Sequence, residues 1–259
     1  MSSKAFGVIT SACMGLGLLF AAPVAAEEAA SDWEFSGNVN LTNNYIYRGF
    51  TQTDGDFAIQ GGFDVAHSSG VYAGVWASNI DFNDQTLEAN GDTVSSSIEI
   101  DLYGGYAGDF GNSMFSYDVG FIYYAYPGSP NGSNYDFVEF GLTLGADLGA
   151  ASLSVGAWYS PDFFGGIGDA LYVPIGIEVP IPVGDGPISL AASANVGFNK
   201  YFDTDPLDDD TYINWDIGMT VSIENYFDID LRYHDTDLPE VSCKNVCDSR
   251  FVASVSRSF

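Results

Sequence analysis

Tyr212-Ile213-Asn214-Trp215-Asp216-Ile217-Gly218-Met219-Thr220-Val221-Ser222-Ile223-Glu224 decides the fold class of this chain. Ile213, Trp215, Ile217, Met219, Val221 and Ile223 fall at every second position. Asn214, Asp216, Thr220, Ser222 and Glu224 stand between them. Successive side chains of a β-strand point to opposite faces, so the segment has one apolar and one polar face. The pattern repeats in residues 97–106, where Ile98, Ile100, Leu102, Gly104 and Tyr106 alternate with Ser97, Glu99, Asp101, Tyr103 and Gly105. It repeats again in residues 115–125, with Phe115, Tyr117, Val119, Phe121, Tyr123 and Ala125 on one face and Asp118 on the other.

Twelve such strands are predicted, at 34–47, 57–66, 70–81, 96–107, 114–125, 135–148, 151–160, 170–180, 187–198, 211–224, 226–235 and 250–259. Two are less regular. The stretch 70–81 carries bulk on both faces (Val71 and Val75; Tyr72 and Trp76), and Pro174 removes a ladder donor from 170–180. The connections alternate in length. Short ones fall at 67–70, 107–113, 149–150, 181–187 and 225, and longer ones at 48–56, 82–95, 126–134, 161–169, 199–210 and 236–249. An even strand number with short periplasmic turns and longer extracellular loops is the pattern of a bacterial outer-membrane β-barrel. A soluble β-sandwich also alternates, but nothing would sort its loops by length.

The N-terminus fits export. Lys4 precedes an almost wholly apolar run from Val8 to Phe20, and small residues follow up to Ala26. Residues 1–26 therefore read as a cleaved signal peptide, too short and wrongly flanked for a spanning helix. Cys13 has Thr10 where a lipoprotein signal favours leucine, which argues against lipidation. Residues 27–259 form one barrel domain with a loose start at 27–32. Without Lys4, six basic residues remain against 35 acidic ones, a net charge of −29. That charge repels nucleic acid. Acidity with few aromatics would indicate disorder, but aromatics make up 15% of this chain.

Phe259 ends the chain, with Phe251, Ala253 and Val255 at alternate positions before it. The ending resembles the signal read by the barrel-assembly machinery. Arg257 departs from it, because an aromatic or apolar residue is usual there. The stretch from Asn44 to Asp56 (NYIYRGFTQTDGD), followed by Ala58 to Asp64, resembles the opening of a proteobacterial family of TorF-type porins, also catalogued as Gcw_chp proteins of unknown function. Tyr72 to Asn79, Glu99 to Tyr106, Tyr123 to Gly128, Tyr159 to Phe164 and Ser254 to Phe259 are similar too. The resemblance implies an outer-membrane barrel and a pore, and carries over no catalytic or binding residue.

With the apolar face toward lipid, Arg48, Asp64, Glu99, Asp101, Asp118, Glu139, Glu178, Asp216, Asp228, Asp230, Arg232 and His234 face the interior. Nine of these twelve are acids, so they are expected to line a pore that favours cations. The alternative is that acids and arginines pair across a plugged lumen. Inward glycines (Gly62, Gly105, Gly120, Gly141, Gly156, Gly176 and Gly197) suggest free space. Twelve strands predict a narrow bore. Arg48 either faces Asp101 or Asp118 across a constriction or ties the first long loop to the rim.

Cys243 and Cys247 are the only cysteines after residue 26, and a disulfide is expected in an oxidising compartment. No metal or cofactor is expected. Asp203, Asp205, Asp208, Asp209 and Asp210 crowd one outer loop, where calcium binding competes with a merely solvated acidic loop. Trp33, Phe35, Tyr45, Tyr47, Tyr123, Tyr124, Tyr126, Tyr159, Tyr226 and Phe227 are expected to form interfacial girdles.

The leading functional expectation is a narrow passive channel for small cationic or neutral polar solutes. A barrel acting through its surface loops is the alternative. A lipid hydrolase would need a base such as His234 and a nucleophile reachable from the bilayer, so no enzymatic activity is expected. Expected partners are outer-membrane lipid, lipopolysaccharide, the barrel-assembly machinery and small polar solutes, with homo-oligomers left open.

Overall fold

A computed structural model describes residues 31–259 except 84, 85, 88–92, 185, 204–206, 208, 209, 225 and 244; the expected signal peptide, residues 1–26, lies outside the described residues. Twelve antiparallel strands close into a barrel. They are β1 (Trp33–Thr42), β2 (Ala58–His67), β3 (Val71–Asn79), β4 (Ile98–Asp109), β5 (Phe115–Ala125) and β6 (Phe137–Asp147). The second half comprises β7 (Ser152–Ser160), β8 (Ala170–Ile181), β9 (Ile188–Tyr201), β10 (Thr211–Ile223), β11 (Phe227–Thr236) and β12 (Arg250–Ser258). Each strand pairs with its neighbours in sequence, and β12 returns to β1 with Val39 opposite Arg257. Full closure leaves no unpaired sheet edge, which a hydrocarbon solvent requires. No helix among the described residues is long and apolar enough to cross a membrane.

Side-chain parity runs as the alternation requires. Ile98, Trp215 and Ile217 are exposed on the outer wall, at 37%, 38% and 57%. Glu99 and Asp101 between them are buried inside. The outer surface carries the large apolar residues because its solvent is lipid. The protein is an outer-membrane barrel, with the short turns at one end and the long loops at the other.

Strand β8 runs straight through Pro174. Its ladder with β7 extends from Ser152↔Glu178 to Val155↔Ile175 and resumes at Trp158↔Tyr172, while Pro174↔Gly197 holds on the β9 side. The missing donor therefore interrupts one ladder locally without breaking the strand.

The first strand is shorter than expected. It ends at Thr42, not at 47, because Asn43 intercepts the partner strand. The Asn43 side chain donates to the Phe251 carbonyl (3.3 Å) and accepts from the Ala253 amide (2.8 Å). Beyond this clamp the chain leaves the wall and turns into the barrel.

Candidate functional site

The segment 43–57 packs into the outer half of the barrel. Ile46–Tyr47 and Phe50–Thr51 pair as a miniature hairpin across Arg48 and Gly49. Both turn residues have positive φ, 48° and 90°, the geometry of a tight hairpin turn. A side chain at Gly49 would collide with the Thr236 methyl group, so only glycine fits. A second turn is closed by Thr53, whose hydroxyl donates to the Asp56 carbonyl (2.7 Å). Asn44 Oδ1 accepts from the Thr51 hydroxyl (2.6 Å) and lies 3.2 Å from the Thr53 hydroxyl oxygen, which brings the two turns together.

The hairpin carries Tyr45, Tyr47 and Arg48 inward. Tyr45 packs edge-on against Trp76 and Tyr47 against Tyr124, with centroids 5.5 and 5.9 Å apart. Phe50 meets Tyr212 at 5.5 Å. Around them, Tyr126, Phe137, Phe163, Tyr172 and Tyr201 complete a buried aromatic collar. Four of the expected girdle residues, Tyr45, Tyr47, Tyr124 and Tyr126, thus belong to the interior. Tyr124 follows the inward parity of β5, and the other three lie on segments folded over the mouth. Trp33, Phe35, Tyr123, Tyr159, Tyr226 and Phe227 are exposed on the outside as expected.

Arg48 is the electrostatic hub. Its guanidinium contacts Glu139 at 2.6 Å and lies 4.0 Å from the Tyr172 ring centroid. The Tyr212 hydroxyl donates to the Arg48 carbonyl (3.1 Å), bracing the positive-φ turn. Tyr47 and Tyr124 also donate to the bonded Glu139 oxygen, at 3.4 and 3.3 Å, while the other oxygen is buried without a partner among the described residues. Burial alone would weaken the protonated state of Arg48, but Glu139 and the surrounding tyrosines outweigh it and raise its pKa. Arg48 therefore ties the first loop down, yet inside the barrel and to Glu139, with neither Asp101 nor Asp118 as its partner. Nearby, Tyr45 donates to Glu99 (2.8 Å), and burial followed by the Glu99 charge hold its phenol well above the ordinary value. Asp101 is fully buried, and neither carboxylate oxygen has a hydrogen-bond partner among the described residues.

A second polar layer lies toward the short-turn end. Arg232 bridges Asp216 and Asp230, the latter at 3.0 Å, and donates to the Ser193 hydroxyl at 2.8 Å. Asn195 donates to Asp216 (2.9 Å) and Thr220 to Asp230 (2.8 Å). Tyr103 donates to Asp64, and Tyr72 donates to Asp118 at 2.9 Å. Glu178, Asp228 and His234 are half-buried at inward positions of β8 and β11.

Four of the seven inward glycines do not leave the expected free space. Tyr72 covers Gly105 and Gly120, Trp158 covers Gly141, and Tyr172 covers Gly197. Glycine on the inner wall makes room for a ring from a neighbouring strand. The tyrosines that hold the acids were missed as site residues, although Tyr103 falls on the acid-bearing face of its segment.

Cys243 and Cys247 form a disulfide, Cα atoms 5.8 Å apart, in the last long loop. That loop touches the hairpin where the Thr51 amide donates to the Val246 carbonyl (2.8 Å). Of the acidic loop, Asp205, Asp208 and Asp209 lie outside the described residues. Asp210 pairs with Lys200, and Asp203 accepts from the Asp169 amide. Among the described residues, no group of three or more Asp, Glu, His or Cys is arranged to hold a metal ion, and no hydrogen bond joins His234 to a hydroxyl.

Residues 26–259 match the family described as "Bacterial protein of unknown function (Gcw_chp)". No curated protein matches the chain. Among solved structures, a KdgM porin in complex with disordered oligogalacturonate is similar at TM-score 0.54 and 10% identity, covering 87% of this chain and 98% of that one. A NanC porin is similar at TM-score 0.49 and 9% identity, with 86% and 98% covered. LpxR from Salmonella typhimurium is similar at TM-score 0.46 and 9% identity, with 86% and 99% covered. At these identities the likeness reports the barrel fold alone.

Proposed function

This chain belongs to the Gcw_chp family and is an outer-membrane β-barrel; from that premise we propose a narrow passive channel for small polar solutes, favouring cations over anions. One observation carries this reading. Nine inward-facing carboxylates share the interior with three guanidinium groups; Arg250, near the rim, donates to the Asn245 carbonyl, which leaves Arg48 and Arg232 to meet the acids. Those two engage Glu139, Asp216 and Asp230. Asp64, Glu99, Asp101, Asp118, Glu178 and Asp228 have no cationic partner among the described residues. An enclosed wall with surplus negative charge lowers the energy of a passing cation and raises that of an anion. The seated hairpin at the mouth sets the bore and keeps it small.

Planar-bilayer recording of the mature barrel across a potassium chloride gradient tests this. The expected result is small conductance steps with a cation-selective reversal potential. Silence or an anion-selective potential overturns it.

The filled mouth favours a second reading, a closed barrel that acts through its outer loops. Replacing residues 44–56 by a short Gly-Ser linker separates the two. A channel then conducts more, whereas a barrel serving only as a loop platform stays silent and loses its surface role.

A further inference from the structure

Arg257 stands apart from the other basic residues. Arg48, Lys200 and Arg232 form ion pairs, and Arg250 donates to the Asn245 carbonyl. Among the described residues, Arg257 is the one lysine or arginine side chain with no hydrogen bond or ion pair. By parity it points outward: Phe251, Ala253, Val255 and Arg257 are the exposed positions of β12, and the intervening residues face the lumen. It sits two residues before Phe259, at the end of the barrel that carries the short turns.

Beside it lies an open groove of about 270 Å³ on the outer wall, across the seam where β12 meets β1. Val39, Leu41 and Val255 form its floor, and Tyr226 and Phe227 its periplasmic edge. A guanidinium facing hydrocarbon is costly at the bilayer midplane but nearly free at the interface, where it reaches phosphate. Its planar fork binds phosphate oxygens in pairs.

We infer that this groove is a phospholipid site of the periplasmic leaflet, in which Arg257 holds the headgroup phosphate and an acyl chain lies along Val39, Leu41 and Val255. The charge selects an anionic or phosphodiester headgroup, because no carboxylate among the described residues takes the guanidinium. The apolar floor requires a tail, which inorganic phosphate lacks. Lipopolysaccharide occupies the opposite leaflet, at the long-loop end. The inference rests on the outer-membrane placement and is independent of channel activity. It also accounts for a basic residue in a C-terminal strand where an apolar one is usual.

The test is native mass spectrometry of the mature, folded barrel in detergent with added dioleoyl phosphatidylglycerol, dioleoylglycerol or inorganic phosphate. Wild type is expected to retain one phosphatidylglycerol, and Arg257→Gln to retain roughly tenfold less, with Arg257→Lys in between. Neither dioleoylglycerol nor inorganic phosphate should be retained. Equal retention by wild type and Arg257→Gln, no retention by wild type, or equal retention of dioleoylglycerol overturns the site. A lipid-free dimer lost in Arg257→Gln overturns it in favour of a second copy of the chain. Should the glutamine variant fail to fold, judged by heat-modifiable gel mobility, the lipid comparison on wild type and Arg257→Lys decides alone.

Discussion

Arg48 and Glu139 meet at 2.6 Å in the barrel mouth with side chains only 7% and 1% exposed, so the first outer loop is locked to the opposite wall by a buried ion pair. Breaking such a pair from one side leaves the remaining charge without compensation. Arg48→Met is expected to cost about 3 kcal/mol and to free the hairpin. Urea unfolding in lipid vesicles reads the loss, and single-channel recording should show larger, noisier steps. Unchanged stability and unchanged current would show that the pair is not the latch.

Asp101 predicts a change of opposite sign. Its carboxylate is buried with both oxygens unpartnered among the described residues, which is unfavourable for the ionised form. Asp101→Asn is expected to stabilise the barrel by roughly 1 kcal/mol while lowering cation preference. Urea midpoint and reversal potential, measured on one preparation, check both halves.

The disulfide acts on the neighbouring loop. A ring closed by so few residues restrains the unfolded chain by about 2 kcal/mol on the chain-entropy model. Reduction, or Cys243→Ser with Cys247→Ser, should leave the barrel closed and expose the last long loop to protease. Because Val246 accepts from Thr51, the same change should loosen the mouth hairpin. Limited proteolysis followed by intact-mass analysis reads both effects.

The seam offers a fourth case. Gly37 and Phe259 exchange two backbone hydrogen bonds of 2.9 Å, completing the ladder beyond the last paired residues of β1 and β12. The Phe259 ring lies over Gly37, where an added Cβ would come within 2.9 Å of it. Phe259→Ala and Gly37→Val are each expected to cost about 1 kcal/mol and to slow closure of the barrel. Folding into vesicles, followed by gel mobility over time, measures it. A wild-type rate in both variants would remove the ring from any role in closure.

Much of the wall was legible in the sequence because strand parity is a local rule. The run from Tyr212 to Glu224 shows its two faces by itself, and Trp215 and Ile217 point outward as that rule requires. Pro174 looked like an interruption, since a single strand does not reveal which neighbour its missing donor would have served. In the barrel that loss falls on β7 alone. Strand parity puts Tyr72, Tyr103 and Tyr124 on the inner face, although Tyr124 was expected in a girdle, but their hydrogen bonds to Asp118, Asp64 and Glu139 were not legible. Those bonds depend on register between strands.

Alternation, together with connections sorted into short and long, indicated a closed, acid-lined barrel with lipid on its outside, because in hydrocarbon a strand must present apolar side chains outward and pair every backbone group. Tertiary structure decided what fills the mouth. Arg48 lies in a segment without periodicity, and its partner Glu139 is 91 residues away. Only the closing of the sheet brings that carboxylate within reach, and no local pattern encodes which of nine inward acids will be the one opposite.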